Sequence, residues 1–526
     1  MRTAIPRAKN KPFPSFFQRS AWTAFFSALL TGIVAHAFAL VNILHNYDNI
    51  LQQPKGFGAG VTSGRWMLTL MGDFCQNVLD LGYNMPLTNG LVFLVLIALS
   101  AAFLVDGLDI RRKAGAVAAG CVMATFPTVC ATMVFRYTAP YYGVSLLLSV
   151  FAVWVAFRIK WGVLLSALCI ACSMGIYQAY VPFSISLFVL VLMRNALKED
   201  AQLSSLIRQG LICCACLILG LVFYFGFLKL TLAVYGAQLD TYQGINSMGK
   251  ISPAQLPGLI RNAWLSAAFF SVKDYCTLAS TPVLKILWTL VILVILAQAV
   301  LLLVLRKPNP MNAAFFCLMG LVFPLAVNFI VVMAPEGIVY TIMVYSFVLI
   351  AIVPVMLLEY LPEFTRKRLM AGTLSVLLAL IVCYNGYYSN LNYTSLFYAN
   401  RHVENYFSGL MTQMRMTEGY TPDKTWAFLG DQVDDPKLYD IWNVEPVYGG
   451  FIGSTAKGLL NASYSVDVWI HSFIGYETVY ASVEEESVLA ADPRVTEMPC
   501  WPSQGSIQVV DDYIVVKFQE TVRETN

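Results

Sequence analysis

Apolar runs too long to hide in a water-soluble core recur along most of this chain, and they leave it few folds to choose from. The first covers residues 21–43, about 22 residues where roughly 20 suffice for a helix to cross the hydrocarbon of a bilayer. Others lie at 87–105, 114–134, 141–157, 161–173, 177–193, 211–235, 282–305, 311–333, 338–358 and 369–388, about eleven in all. In lipid a segment must satisfy its own backbone polar groups, which a lone helix does and a lone strand does not. A polytopic α-helical membrane protein is the expectation. Charged residues make up only 12% of the chain, about half the share usual in soluble domains. The net charge of +3 gives no reason to invoke nucleic acid.

The few charges are informative through their placement. Residues 1–20 form a basic tail with Arg2, Arg7, Lys9, Lys11 and Arg19. Downstream, basic groups collect in alternate loops: Arg111, Arg112 and Lys113; Arg158 and Lys160; Arg194, Lys198 and Arg208; Arg306 and Lys307; Arg366, Lys367 and Arg368. The intervening loops are poorer, one holding Arg136 and the stretch 334–337 no base at all. Positive-inside bias then sets the amino terminus in the cytoplasm and the first loop and carboxyl terminus outside. The polarity of everything downstream hangs on the pair 161–193, which reads either as two short helices or as one long tilted span. A cleaved signal peptide is the rival for 21–43, but His45, Asn46 and Tyr47 follow where small residues should.

Three parts divide the chain: the tail 1–20, a membrane domain 21–389, and a segment 390–526 with no run long enough to span. The last is expected to be an outer α/β domain, with a helix over 398–416, a short strand at 425–429, and a hairpin from 507–510 and 513–518 around Asp511-Asp512. Outer loops are expected at 44–86 and 236–281. The first holds a surface helix over 64–81, in which Trp66, Met67, Leu70, Phe74, Val78 and Leu81 repeat near a period of 3.6. The second holds another at 253–270.

The chemistry-bearing residues lie at the ends of the runs. Asp48 and Arg65 sit just past the first, where a carboxylate keeps contact with water beside the lipid, although ordinary solvated loop charges would look the same. Arg136 stands alone in the turn Phe135-Arg136-Tyr137-Thr138. Tyr177 and Gln178 occupy a turn between two apolar runs, Gln178 suiting either a sugar hydroxyl or the backbone at a helix end. Glu336 is beside Pro335 and Gly337 in a short outer loop, placed to orient an acceptor or to bind a divalent cation. Trp66 and Tyr137 are aromatic candidates for stacking on a sugar ring, a role in competition with interfacial anchoring. His45 reads as structural, and His402 and His471 offer it no metal-ligand spacing. Asp73 is the second acid, on the polar face of a surface helix.

Several stretches in this order resemble the Gtr type II family of bacterial membrane glucosyltransferases. They are the basic tail, the first-loop acid followed by Ser63-Gly64-Arg65-Trp66, the turn Gly175-Ile176-Tyr177-Gln178-Ala179, and the stretch 499–517 with Trp501-Pro502-Ser503-Gln504-Gly505-Ser506 before a valine-rich strand. The resemblance covers nearly the whole chain. It implies a GT-C-like fold and transfer of glucose from a polyprenyl-phosphate donor to a bacterial surface polysaccharide such as O-antigen. It also implies upstream partners, a membrane glycosyltransferase that makes the donor and a flippase that delivers it. Many relatives carry two adjacent acids in the first loop, whereas here Asp48 lies between Tyr47 and Asn49.

The residues are compatible with that chemistry. A sugar leaving polyprenyl phosphate departs from a phosphate anion, which needs cationic or hydrogen-bonding support rather than a proton. One acid then suffices as base for the acceptor hydroxyl, with inversion at the anomeric carbon. Asp48 is the candidate base. Arg65 is the first candidate for the phosphate because a fork of donors suits its oxygens, and Arg136 is the second. Lys250, Arg261 and Lys273 could meet an anionic polymer or lipid headgroups. A lipid-linked glycan flippase and a polysaccharide polymerase or ligase are the alternatives. A transporter would concentrate polar groups near the midplane, and here they gather at the outer face.

Overall fold

A computed structural model describes residues 17–46, 48–241, 252–363, 366–430 and 466–519. The basic groups of the tail before residue 17, Tyr47, Lys250 and the stretch 431–465 lie outside the described residues.

In chain order the helices are α1 (Arg19–Val41), α2 (Trp66–Asp73), α3 (Pro86–Gly107), α4 (Lys113–Thr125), α5 (Pro127–Met133), α6 (Ala139–Val155), α7 (Gly162–Ile176), α8 (Val181–Ala196), α9 (Leu203–Tyr235), α10 (Leu256–Ala268), α11 (Phe270–Lys273), α12 (Pro282–Arg306), α13 (Pro310–Val327), α14 (Ile330–Met333), α15 (Val348–Tyr360) and α16 (Lys367–Met416). Among the described residues seven helices are long and apolar enough to cross a membrane, and the bent pair α4–α5 adds an eighth if it is one span. Three further apolar helices are shorter: α6, α7 and one over Tyr345–Tyr360. At 1.5 Å per residue, the 15 residues of α7 reach about 23 Å, less than the hydrocarbon thickness of about 30 Å.

The pair 161–193 folds back on itself. Ser149 of α6 meets both halves: its hydroxyl lies 2.8 Å from that of Ser173 on α7, and its carbonyl accepts from Ser184 on α8 at 3.1 Å. Ser173 and Ser184 therefore stand at one height on two helices joined by the turn at Tyr177. Small hydroxyl residues permit this close approach and bond across it.

The basic loops converge at one end of the bundle. Arg158 pairs with Asp106 at 2.8 Å, and the same carboxylate accepts from Trp154. Arg112 reaches Glu363, Lys367 pairs with Glu363 at 3.0 Å, and Arg306 reaches both Glu199 and the Tyr360 carbonyl. The opposite end of α3 is marked by Asn89, which donates to the Arg136 carbonyl at 3.1 Å. The 22 residues of α3 hold these two ends about 33 Å apart.

α4 and α5 meet at a bend of 42°, which Pro127 explains. Proline has no N–H to give the carbonyl four residues back, and that carbonyl, Met123, takes a hydrogen bond from the Tyr345 hydroxyl at 2.6 Å instead. The next carbonyl, Ala124, bonds His36 Nε2 at 2.9 Å, so Nε2 must carry the proton and Nδ1 must accept from the Tyr393 hydroxyl at 2.7 Å. A break in buried backbone is tolerated because side chains from α1 and from the turn before α15 complete it.

α16 runs unbroken for 50 residues, so no break of secondary structure marks position 389. It packs on α1, where Asn390 donates to the Ala35 carbonyl at 2.9 Å. Beyond it lie β1 (Thr425–Leu429), α17 (Val466–Trp469), β2 (Ile507–Val510) and β3 (Tyr513–Lys517). The strands form a sheet in the order β1-β3-β2, with β1 parallel and β2 antiparallel to β3. The hairpin expected around Asp511-Asp512 is there, with the strand at 425–429 on its other edge.

Replacing Tyr345 by phenylalanine should strip the Met123 carbonyl of its donor while leaving the ring in place. A loss of about 1 kcal/mol is expected, the scale of an interhelical hydrogen bond in a membrane protein. Reversible unfolding in mixed micelles measures it.

Candidate functional site

The loop after α1 is built on asparagines. Asn46 Oδ1 accepts from the backbone N–H of Asn49 at 2.8 Å and of Asp48 at 3.2 Å, an Asx-type turn that fixes Asp48 at the head of a short helical turn, Asn49–Gln52. Asn49 donates to the Leu44 and Val134 carbonyls and accepts from Asn84 Nδ2 at 3.2 Å. Asn84 Oδ1 accepts from Arg136 Nε at 3.2 Å. The chain Asn46–Asn49–Asn84–Arg136 thus ties the acid loop to the turn between α5 and α6. Sequence reasoning missed these three amides. Their one signal is the density of asparagine beside an apolar run, which lone positions do not reveal.

Arg136 is 3% exposed, and both of its terminal amines lack a hydrogen-bond partner. Burial pulls the guanidinium down to about 9. Because an arginine holds its proton in nearly any protein setting, the imbalance amounts to a demand for an anion.

Arg65 is placed differently. Gly64 precedes it with φ +72°, and a Cβ there would lie 2.8 Å from both Gln178 Nε2 and the Tyr224 hydroxyl, so glycine is needed on conformation and on space. Gln178 Nε2 donates to the Ser63 carbonyl at 3.0 Å, and the Tyr224 hydroxyl donates to that of Gly64 at 3.1 Å. These bonds aim Arg65 over the Tyr177 ring, 5.0 Å from its centroid, in cation–π geometry. Tyr177 in turn stacks on Tyr142 with centroids 4.1 Å apart. Burial alone would lower the Arg65 guanidinium, but Tyr142, Tyr177, Tyr137 and Tyr224 around it leave it above its ordinary value.

Asp48 lies within electrostatic reach of Arg65. Burial pushes its carboxyl up to about 6, and Arg65 opposes that rise without cancelling it. A carboxylate so placed is ionised at neutral pH yet basic enough to take a proton. Among the described residues no group of three His, Cys, Asp or Glu side chains gathers as a metal site would.

The structure brings together Asp48, Arg65, Arg136, Tyr137 and Tyr177, with Gln178 as the support of their loop. Tyr137 also closes on Gly58, whose Cβ would come within 2.9 Å of its ring. Trp66 is buried below them: its indole fills the space that a side chain at Gly175 would need and packs 5.0 Å from Phe227, which makes it a helix-packing anchor for α2. Glu336 is exposed in the turn after α14. Asp73 accepts from the Tyr235 hydroxyl at the end of α9. The surface helix expected over 64–81 is α2 followed by a π-helical turn at Phe74–Val78, and Leu70, Phe74 and Val78 lie exposed, as an apolar stripe against lipid would.

A family model described as Glucosyl transferase GtrII matches residues 37–351, well over half of the chain. The match takes in Asp48, Arg65, Arg136, Gln178 and Glu336. No curated protein and no solved structure matches the chain.

The raised carboxyl has a stability consequence. Its folded value lies above the unfolded one, so the folded state binds the extra proton between about pH 4 and 6, and stability falls as pH rises through that window. Asp48→Asn removes the penalty. The variant should gain melting temperature relative to the parent at pH 8 and lose that advantage at pH 4, as followed by thermal unfolding in detergent.

Proposed function

Because this chain belongs to the GtrII glucosyl transferase family, we propose that it moves glucose from a polyprenyl-phosphate donor to a surface glycan at the membrane face opposite its basic loops. In this reading the protein lies in the bacterial inner membrane with its amino terminus cytoplasmic and its carboxyl-terminal segment outside. The observation that carries it is a basic carboxylate, Asp48, on a loop that the Asn49–Asn84 hydrogen bonds tie to a buried guanidinium with unpartnered amines, Arg136, at that end of the bundle.

The steps follow from these positions. The acceptor hydroxyl gives its proton to Asp48 as its oxygen bonds to the anomeric carbon. The bond from that carbon to the phosphate oxygen breaks, and its electron pair stays on the phosphate. A single displacement inverts the anomeric centre. Arg136 faces the phosphate, where charge accumulates and where fixed donors in a water-poor site stabilise it most. Arg65, balanced between Asp48 and the tyrosines, keeps the acid ionised and oriented. Tyr137 is the aromatic residue assigned to the sugar, whereas Tyr177, covered by Arg65 and by Tyr142, positions Arg65, and Gln178 and Trp66 hold the loop and α2. Glu336 is assigned to the acceptor side. The donor has to be made and delivered to this face, so a donor-synthesising membrane glycosyltransferase and a flippase are its functional partners.

Purified protein in mixed micelles should transfer glucose from polyprenyl phosphate glucose, and not from a nucleotide sugar, to the glycan. Asp48→Asn is expected to lower kcat by 10²–10⁴-fold, the range of general-base catalysis. An unchanged kcat in that variant would remove Asp48 from the mechanism.

The pH profile is a separate check. Ionised Asp48 is the working form, so kcat/KM should hold above about pH 6 and fall tenfold per unit below it. A profile flat from pH 7 to 5 would contradict the assignment.

A further inference from the structure

His45, three residues before the acid, is not used by the steps above, yet it is held with unusual firmness. Asn400 of α16 grips its main chain on both sides, accepting from the His45 N–H at 2.7 Å and donating to the His45 carbonyl at 2.8 Å. Its ring packs against Phe473 at 4.0 Å and Trp469 at 5.8 Å between centroids. The residue is 4% exposed and its Nδ1 has no hydrogen-bond partner. Asn49 Nδ2 donates to the carbonyls of both Leu44 and Val134, which sets the chain leading into His45 beside the chain leading into Arg136, whose terminal amines are also unpartnered. Polar atoms on two buried side chains of the same region, both without protein partners, call for a partner that the chain does not supply.

We propose that His45 is a second ligand of the donor phosphate, with an imidazole N–H bonded to the oxygen that gives up the sugar, beside the terminal amines of Arg136. The proposal rests on the functional reading above and adds a division of labour between the two arginines: Arg136 holds the phosphate and Arg65 serves Asp48. The donor phosphate is a diester with one negative charge. When its bond to the anomeric carbon breaks, the electron pair remains on that oxygen, and the monoester left behind carries close to two charges. The acceptor proton has gone to Asp48, so nothing neutralises the new charge at the phosphate itself. Arg136 presents the same charge before and after. Burial and the nearby Arg136 keep the imidazole neutral at the start. A neutral donor adds little to the binding of the diester and gains as the second charge develops, so its effect falls on the transition state and on product binding.

The test compares His45→Phe, which keeps a ring between Trp469 and Phe473, with His45→Gln, which restores a donor. Steady-state kinetics on polyprenyl phosphate glucose give kcat and KM, and added polyprenyl phosphate gives the product inhibition constant. His45→Phe is expected to lower kcat about 10- to 100-fold, the scale of one hydrogen bond to a charged group, and to weaken product inhibition about tenfold with donor KM nearly unchanged. His45→Gln should recover part of both losses. Parental kcat and product inhibition in His45→Phe would overturn the proposal, as would equal weakening of donor and product, or a His45→Gln variant no better than His45→Phe, which would mark a packing role. If the parent protein neither turns over the lipid donor nor is inhibited by polyprenyl phosphate, the functional reading falls and this proposal with it. If the parent does both and the variants match it, the proposal alone falls.

Discussion

A guanidinium sealed from water with two unpartnered amines is costly to hold, and hydrogen bonds at that end of the bundle fix it in place. Arg136 sits in the turn after a helix whose every residue is buried, on the far side of a proline break. The break aims α5, and the carbonyls that it frees are completed by Tyr345 and His36 from other parts of the fold. Asn84 holds Nε of the guanidinium, and the two terminal amines are buried without a hydrogen-bond partner. A charge held this way is completed by an anion that the chain itself does not supply.

The acid and the second arginine form a separate electrostatic unit. Asp48 is partly withdrawn from water, which raises its affinity for a proton, and Arg65 limits how far that rise goes. Arg65 is itself steadied by aromatic faces rather than by an ion pair, so its charge remains available to the carboxylate. A salt bridge in contact would have tied the acid up and depressed its basicity. Influence at a distance leaves it working.

Much of this was legible in the sequence. Long apolar runs and alternating basic loops indicate helices whose charged ends share a side, and the ion pairs among Asp106, Arg158, Arg112, Glu363 and Lys367 lie together at one end. The short strands and their hairpin followed from alternation around Asp511-Asp512. Chain length alone did not distinguish runs that make full-length helices from the shorter α6 and α7, because apolarity is set by surroundings as well as by span. Asp48, Arg65 and Arg136 were visible as isolated charges at the ends of runs. The residues that hold the site were not: Asn84, which bonds Arg136, and Asn400 and Trp469, which contact His45, are distant in sequence and carry no charge, so only the fold reveals that they meet it. Trp66 was read as surface for a sugar, and the structure places it in a helix contact against Gly175, since an indole beside a glycine fills space better than it stacks in water.

The long helix α16 has a mechanical meaning. Lys367 anchors one end among the basic loops, and Asn400, 33 positions later, grips the main chain of His45. No hinge interrupts the stretch between them, so it transmits torsion as a rigid shaft does. A single inserted residue would twist everything beyond it by about 100° and swing Asn400 off its mark. Phase along this shaft, more than its amino-acid content, therefore decides whether Asn400 meets His45.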